Sequence, residues 1–256
     1  MLNDEINAAR DVTKSNTYRL ETFQSRELGI LGYADPDISG VVFTHGTNTI
    51  EETAYFMNLT VRSEKPVVIV GAQRPFSTLS SDGPLNLLNA IRVAADPASR
   101  GKGTLVMLND EINAARDVTK TNTYRVETFQ TRELGILGYA DPDKIVFYRM
   151  PVRKHTVQSQ FDLAQTGTLP KVTILYSYSG DDGDLAKAAV AAGAKGLVIA
   201  GTGAGHTQNA RKVLKELSDT TGAVVVRAFC GLKLSAPAAW CATTIGRSRA
   251  SSPPTT

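Results

Sequence analysis

The stretch from Gly40 to Asp110 constrains this chain most. "GVVFTHGTN" is an apolar run that ends in polar residues, and "TIEETAYFMNLTVRSE" follows it with Ile50, Ala54, Met57 and Val61 at helical spacing. Thr49 and Glu52 fit a capping box at the start of that helix. "KPVVIVGAQRP" is a second apolar run leading into a loop, and "SSDGPLNLLNAIRVAADP" is a second helix with Pro84 suited to its first turn. "GTLVMLND" is a third strand. Such β-α-β-α-β alternation predicts a parallel sheet with helices packed on it. Right-handed crossovers then bring all three strand ends to one edge, where ligands of such sheets bind. Three polar loops are expected there: Thr44–Asn48, Gly71–Arg74 and Asn109–Asn122.

A second unit of the same type starts after Pro170. "KVTILYSYSG", "KGLVIAG" and "GAVVVR" read as strands, and "DLAKAAVAAG" and "ARKVLKELSD" as helices. The expected fold class is α/β, with a larger N-terminal domain built on a mainly parallel sheet flanked by helices and a smaller, incomplete C-terminal α/β domain. The expected boundaries are 38–151 for the first domain, 152–169 for a linker and 170–227 for the second domain. Past Arg227 the text changes. Residues 228–256 contain no Asp or Glu, hold the only Trp and both cysteines, and end in Ser, Pro and Thr. They read as an irregular tail, of the kind a shifted reading frame produces.

One segment occurs twice. Residues 1–37 repeat residues 107–143 at a constant offset of 106, with only Ser15 for Thr121, Leu20 for Val126 and Ser25 for Thr131. The period is too long, and two copies too few, for a solenoid. The second copy follows "GTLV", which completes its strand, whereas the first starts in mid-element. Residues 1–37 are therefore expected to stand outside their native setting, and 107–143 to be the working copy.

Composition excludes several classes. With 28 Lys and Arg against 25 Asp and Glu, the net charge is +3, and no basic run exceeds two residues. That is too weak for a nucleic-acid footprint. No apolar stretch approaches a membrane span. No basic region followed by an apolar one stands at Met1, so a cytoplasmic location is expected. His45, His155 and His206 form no pair with ligand spacing, and the cysteines Cys230 and Cys241 make neither a metal motif nor a disulfide framework.

Two places could carry chemistry. Thr47 sits where a strand gives way to a helix, facing the crevice at an N-terminus that favours an anion such as a carboxylate. Thr47, Asn48 or Thr49 could equally serve as a simple helix cap, which is the commoner role of such residues. Lys120, in "ARDVTKTNT", could reach Thr47 across adjacent strand ends. A threonine hydroxyl is a poor nucleophile until a base takes its proton, and a desolvated lysine can be that base. The plain alternative is a solvated loop lysine. Gly201, Gly203 and Gly205 follow a strand and precede a helix, but His206 stands where a dinucleotide fingerprint needs its spacing to continue. They read as a tight turn.

Taken together, "THGTNTIEETAYF", "KPVVIVGAQRP", "SSDGPLNLLNAIRVAADP" and "NDEINAARDVTKTNT" resemble the bacterial L-asparaginases of the glutaminase-asparaginase family, in order, over roughly residues 40–227. The resemblance implies hydrolysis of L-asparagine, and of L-glutamine, to the acid and ammonia, without metal or cofactor. It implies homotetramers, and relatives that are often periplasmic or secreted. It implies catalytic roles for Thr47, Lys120 and Asn48, and substrate contacts from Gly46, Thr47, Asn48 and Ala72. Asn48 stands where the family has an Asp that holds the substrate's α-ammonium group. The family's Gly-Gly-Thr-Ile-Ala segment with its second nucleophilic Thr, its lid Tyr and its carboxylate-binding pair have no counterpart in these 256 residues. Impaired activity is therefore expected. The alternatives are a non-catalytic member that still binds an amino acid and, last, a dinucleotide-binding protein built on Gly201–Gly205.

Overall fold

The computed structural model describes residues 5–6, 13–14, 23–24, 32–33, 38–163, 168–229 and 243–245. The chain divides into two compact units, at Phe161 and Asp162.

The first unit is built on a six-stranded sheet. Across it the strands run Ile145–Phe147, Gly138–Ala140, Glu111–Ala114, Thr104–Leu108, Val67–Val70 and Val41–Thr44. The three strands expected from the sequence form its parallel half, with Thr44 opposite Val70 and Val70 opposite Met107. Val67–Val70 and Thr104–Leu108 are buried throughout. Such continuous burial is why they read as unbroken apolar runs rather than alternating ones. Helix α1 (Ile50–Thr60) covers one face, where Ile50 and Ala54 pack with Ile69, Val106 and Leu108. Helix α2 (Gly83–Ala95) covers the other, where Ala90 and Val93 pack with Val68, Leu105 and Met107. Pro84 lies in the first turn of α2, as its fixed φ favours.

The α/β class and the three-strand core are as expected, and the sheet also carries an antiparallel half. Leu108 and Glu111 pair across a two-residue turn at Asn109 and Asp110, whose φ values are 52° and 62°. Two positive φ values mark a type I′ turn, whose twist matches a hairpin, and Asn and Asp tolerate that conformation well. The expected single loop Asn109–Asn122 is therefore corrected. Asn109 and Asp110 form a turn at the strand-end edge. The chain then runs back along Glu111–Ala114 until Ala115 N–H reaches Thr104 O.

Two further corrections concern local structure and boundaries. Thr49 is the N-cap of α1, but its side chain makes no cap hydrogen bond, so no capping box forms. Residues 152–161 of the expected linker belong to the first unit. There His155, Thr156 and Ser159 are buried, and Arg62 Nη1 donates to Ser159 O at 2.8 Å.

In the second unit, parallel strands Val172–Tyr176, Gly196–Gly201 and Val224–Phe229 alternate with α3 (Asp184–Ala191) and α4 (Arg211–Thr221). Leu197, Ile199 and Val225 pack beneath Ala186 and Leu214. The last of these strands continues two residues past Arg227, and Thr243–Ile245 pairs antiparallel with it. The expectation of an irregular tail is corrected at those residues, while 230–242 and 246–256 lie outside the described ones.

The first copy of the repeated segment keeps the second copy's pairing. Glu5–Ile6 pairs with Tyr33 and Gly32 as Glu111–Ile112 pairs with Tyr139 and Gly138, and Thr13–Lys14 pairs with Gln24 and Phe23 as Thr119–Lys120 pairs with Gln130 and Phe129. None of these four short strands joins the six-stranded sheet. The rest of 1–37 lies outside the described residues.

Candidate active site

The loop after the first strand carries His45, Gly46, Thr47, Asn48 and Thr49 into α1. His45 N–H donates to Val70 O at 2.8 Å, which extends the parallel ladder by one bond and fixes where the loop leaves the sheet. Gly46 O lies 2.7 Å from His45 Nδ1 and can only accept, so Nδ1 carries the proton. In the neutral ring Nε2 then accepts from the Thr53 hydroxyl, 2.9 Å away. The ring thus ties the loop to α1 through Thr53 and to its own backbone through Gly46.

Lys120 reaches Thr47, with Nζ 2.8 Å from Thr47 Oγ1. The two residues meet by a longer route than the expected one across neighbouring strand ends. After Ala114 the chain returns along α1, burying Ala115, Val118 and Phe129 against Ile50 and Ala54. A two-stranded ribbon, Thr119–Lys120 with Phe129–Gln130, then presents the lysine at the strand-end edge. Lys120 N–H donates to Glu51 Oε2 at 2.7 Å. Burial pushes the Glu51 carboxyl above its ordinary range, against the opposing effect of this hydrogen bond. Thr47 and Lys120 are half-buried, whereas Gly46, Asn48 and Ala72 are exposed. Asn48 has no side-chain hydrogen bond among the described residues.

The second loop closes this edge. Asp82 accepts from the Gln73 and Arg74 N–H groups at 3.0 and 2.9 Å, folding Gly71–Arg74 over the start of α2. A Cβ on Gly71 would lie 2.7 Å from His45 O and 3.2 Å from Thr47 Cγ2, so only glycine lets the second strand pass under Thr47. Gln73 Nε2 donates to Thr123 O and Arg125 O, both at 3.2 Å, and ties this loop to the one beyond Lys120.

Sequence reasoning missed the polar stitching of α2. Asn86 is buried; its Nδ2 donates to Gly71 O at 3.0 Å and to Asp82 Oδ2 at 2.9 Å, and its Oδ1 accepts from Asn109 N–H at 3.0 Å. Asn89, also buried, donates to Asp110 Oδ1 at 2.8 Å. One turn of one helix therefore holds the Gly71 loop and the Asn109 turn together. The signal was two asparagines three apart in "LNLLNAI", on the side of α2 that also carries Ala90 and Val93. Of the sequence candidates, the fold brings Gly46, Thr47, Asn48, Ala72 and Lys120 to one edge. Gly201–Gly205 form a tight turn in the second unit, where Thr202 bridges to His206. Among the described residues no group of three or more His, Cys, Asp and Glu could hold a metal ion, and no helix is long and apolar enough to cross a membrane.

Comparison with known proteins covers most of this architecture. Residues 32–153 match the family model described as asparaginase, N-terminal, and residues 171–231 match the glutaminase/asparaginase C-terminal domain. Over 194 residues the chain is 50% identical to L-asparaginase 2 of Bacillus subtilis, covering 76% of this chain and 52% of that protein. It is 48% identical over 188 residues to a probable periplasmic L-asparaginase of Haemophilus influenzae, covering 73% and 54%. The solved structure of a probable cytoplasmic L-asparaginase from Campylobacter jejuni superposes with a TM-score of 0.72 at 48% identity, covering 75% of this chain and 62% of that one. The chain thus spans about half the length of the relatives it matches.

Proposed function

This chain belongs to the asparaginase family, and on that footing we propose that its first unit hydrolyses the side-chain amide of L-asparagine, and of L-glutamine, through Thr47 and Lys120. The observation that carries the reading is the 2.8 Å contact between Lys120 Nζ and Thr47 Oγ1. In its amine form Lys120 takes the Thr47 proton, and the freed oxygen attacks the amide carbon. Once protonated, the ammonium holds positive charge beside the reacting oxygens while backbone N–H groups receive the oxyanion. Ammonia leaves with the transferred proton. Water then cleaves the acyl-threonine ester, releasing the acid and restoring the hydroxyl.

In this reading Gly46 and Ala72 serve through their backbone beside the amide that Thr47 attacks, and Asn48 holds the amino-acid end of the substrate. Asn48 offers an oxygen without a charge, and charge-assisted hydrogen bonds are about twice as strong as neutral ones. A polypeptide of these 256 residues therefore works more slowly than relatives with an aspartate there. The working form is taken as a cytoplasmic homotetramer. The family resemblance supports the assembly; of the relatives, the Campylobacter protein is named as cytoplasmic and the Haemophilus protein as periplasmic.

The test is ammonia release from L-asparagine by the purified protein and three variants. Slow release is expected from the parent, faster release from Asn48→Asp, and none from Lys120→Ala or Thr47→Ala with the fold retained. Release that survives in Lys120→Ala, or no release even from Asn48→Asp, would overturn the reading.

A further inference from the structure

The second unit holds a cationic cavity that amide hydrolysis at Thr47 leaves unused. Its volume is about 280 Å³, and its lining is Thr202, Gly203, His206, Thr207, Arg211 and Arg227. It lies where parallel strands Gly196–Gly201 and Val224–Phe229 end, the edge at which open α/β sheets take their ligands.

Its floor is built firmly. Thr202 N–H donates to His206 O at 2.9 Å, and Gly205 and His206 N–H donate back to Thr202 O at 3.0 and 2.8 Å. Gly203 and Gly205 hold φ values of 51° and 85°, which glycine adopts without strain. The turn is closed on itself by its own backbone, so it offers no open cradle for a pyrophosphate, and the volume suits one anionic group on a small body.

The walls carry charge of one sign. Arg227 is paired in the ladder opposite Ile199, and its Nε is buried without a hydrogen-bond partner. Arg211 opens α4 and is exposed at the rim. No carboxylate lines the cavity, and among the described residues neither arginine has an ion pair. A buried N–H without an acceptor is a standing cost in a folded chain, removed when an acceptor enters. Guanidinium groups present forked donors that match the oxygens of carboxylates and phosphates.

We infer that this cavity binds a small oxyanion, the carboxylate or phosphate group of a polar metabolite, between Arg227 and Arg211. Calorimetric titration of the full chain at low salt tests this with two probes, inorganic phosphate and malonate. Malonate lacks the amino group of an amino-acid substrate, so a failed asparaginase assay does not bear on the result. Saturable binding of at least one probe is expected, and which one binds names the source chemistry. Arg227→Gln and Arg211→Gln should each weaken it by about tenfold or more, while Thr47→Ala leaves it unchanged. Arg211 is exposed, so its variant carries the test if Arg227→Gln fails to fold. No saturable binding by ~10 mM of either probe, or unaltered affinity in Arg211→Gln, would overturn the assignment.

Discussion

Glu51 Oε2 accepts the backbone N–H of Lys120 at 2.7 Å, four residues along the chain from the threonine that the same lysine meets with its side chain. One strand-to-helix segment, Thr47–Glu51, therefore holds Lys120 at both ends. Replacing Glu51 by alanine removes a charge-assisted acceptor from a half-buried N–H, and the first unit should lose about 1–2 kcal/mol in urea unfolding. Glu51→Gln keeps an oxygen acceptor and should lose less. The pH dependence separates the two effects. Burial raises the Glu51 carboxyl in the folded chain, so its contribution to stability is present at acid pH and is lost as pH rises through the raised value. As pH rises from the ordinary 4.5 through the raised value, the parent should lose stability that Glu51→Gln does not. Parallel curves for the two proteins would show that Glu51 titrates alike folded and unfolded.

Asn48 is exposed and makes no hydrogen bond of its own among the described residues, so a charge placed there costs the fold little. Asn48→Asp should leave the unfolding midpoint unchanged and raise kcat/KM for L-asparagine by about tenfold, the range for a neutral acceptor becoming a charged one. The gain should vanish for an analogue of asparagine lacking its α-amino group. An equal gain with that analogue would place the new carboxylate against some other part of the substrate.

Asn86 joins three elements through one buried amide, with donors to Gly71 O and Asp82 and an acceptor for Asn109 N–H. Asn86→Leu fills a similar volume but leaves a buried N–H and carbonyl unpaired, each at a cost of about 1–3 kcal/mol. The variant should unfold at lower urea, and hydrogen exchange should quicken at Gly71 and Asn109 before it does in the Val67–Val70 strand. Uniform quickening across the sheet would mean that Asn86 supports the core rather than the edge.

The parts of this molecule that were legible in sequence are those set by burial. Val67–Val70 and Thr104–Leu108 are dry on both faces, and their apolar runs could hardly be anything but inner strands. Family-like wording then picked out Thr47 and Lys120, which residue type and spacing alone had left open between catalysis, capping and a solvated loop. The route between them was hidden by a two-residue turn. Asn109–Asp110 reverses the chain by backbone conformation alone, and a polar pair after a strand reads the same whether it opens a long loop or closes a hairpin. The Asn86 and Asn89 contacts were hidden for a different reason. Periodicity weighs apolar residues, whereas these amides are buried because three backbone segments need their hydrogen bonds. The Thr49–Glu52 pattern failed in the opposite sense, since residue types that fit a capping box do not compel its geometry.

His155 gives the first unit an acid-sensitive point far from the Thr47 loop in sequence. It is 6% exposed, lies against Gly103, and shares a 3.0 Å contact between Nδ1 and Thr156 Oγ1. Burial lowers its pKa below the ordinary 6.5 because the cationic ring would lose its hydration. From 6.5 down to the lowered value the unfolded chain binds a proton that the folded chain refuses, so stability falls as pH falls, with a slope of up to about 1.4 kcal/mol per pH unit. His155→Gln carries no proton to bind and should remove that part of the slope, at the cost of some packing at every pH. Unfolding midpoints of parent and variant measured from about pH 7.5 to 5 should therefore converge as the pH falls. A constant separation across the range would show that His155 stays neutral in both states or titrates alike in both, and that the acid sensitivity lies elsewhere.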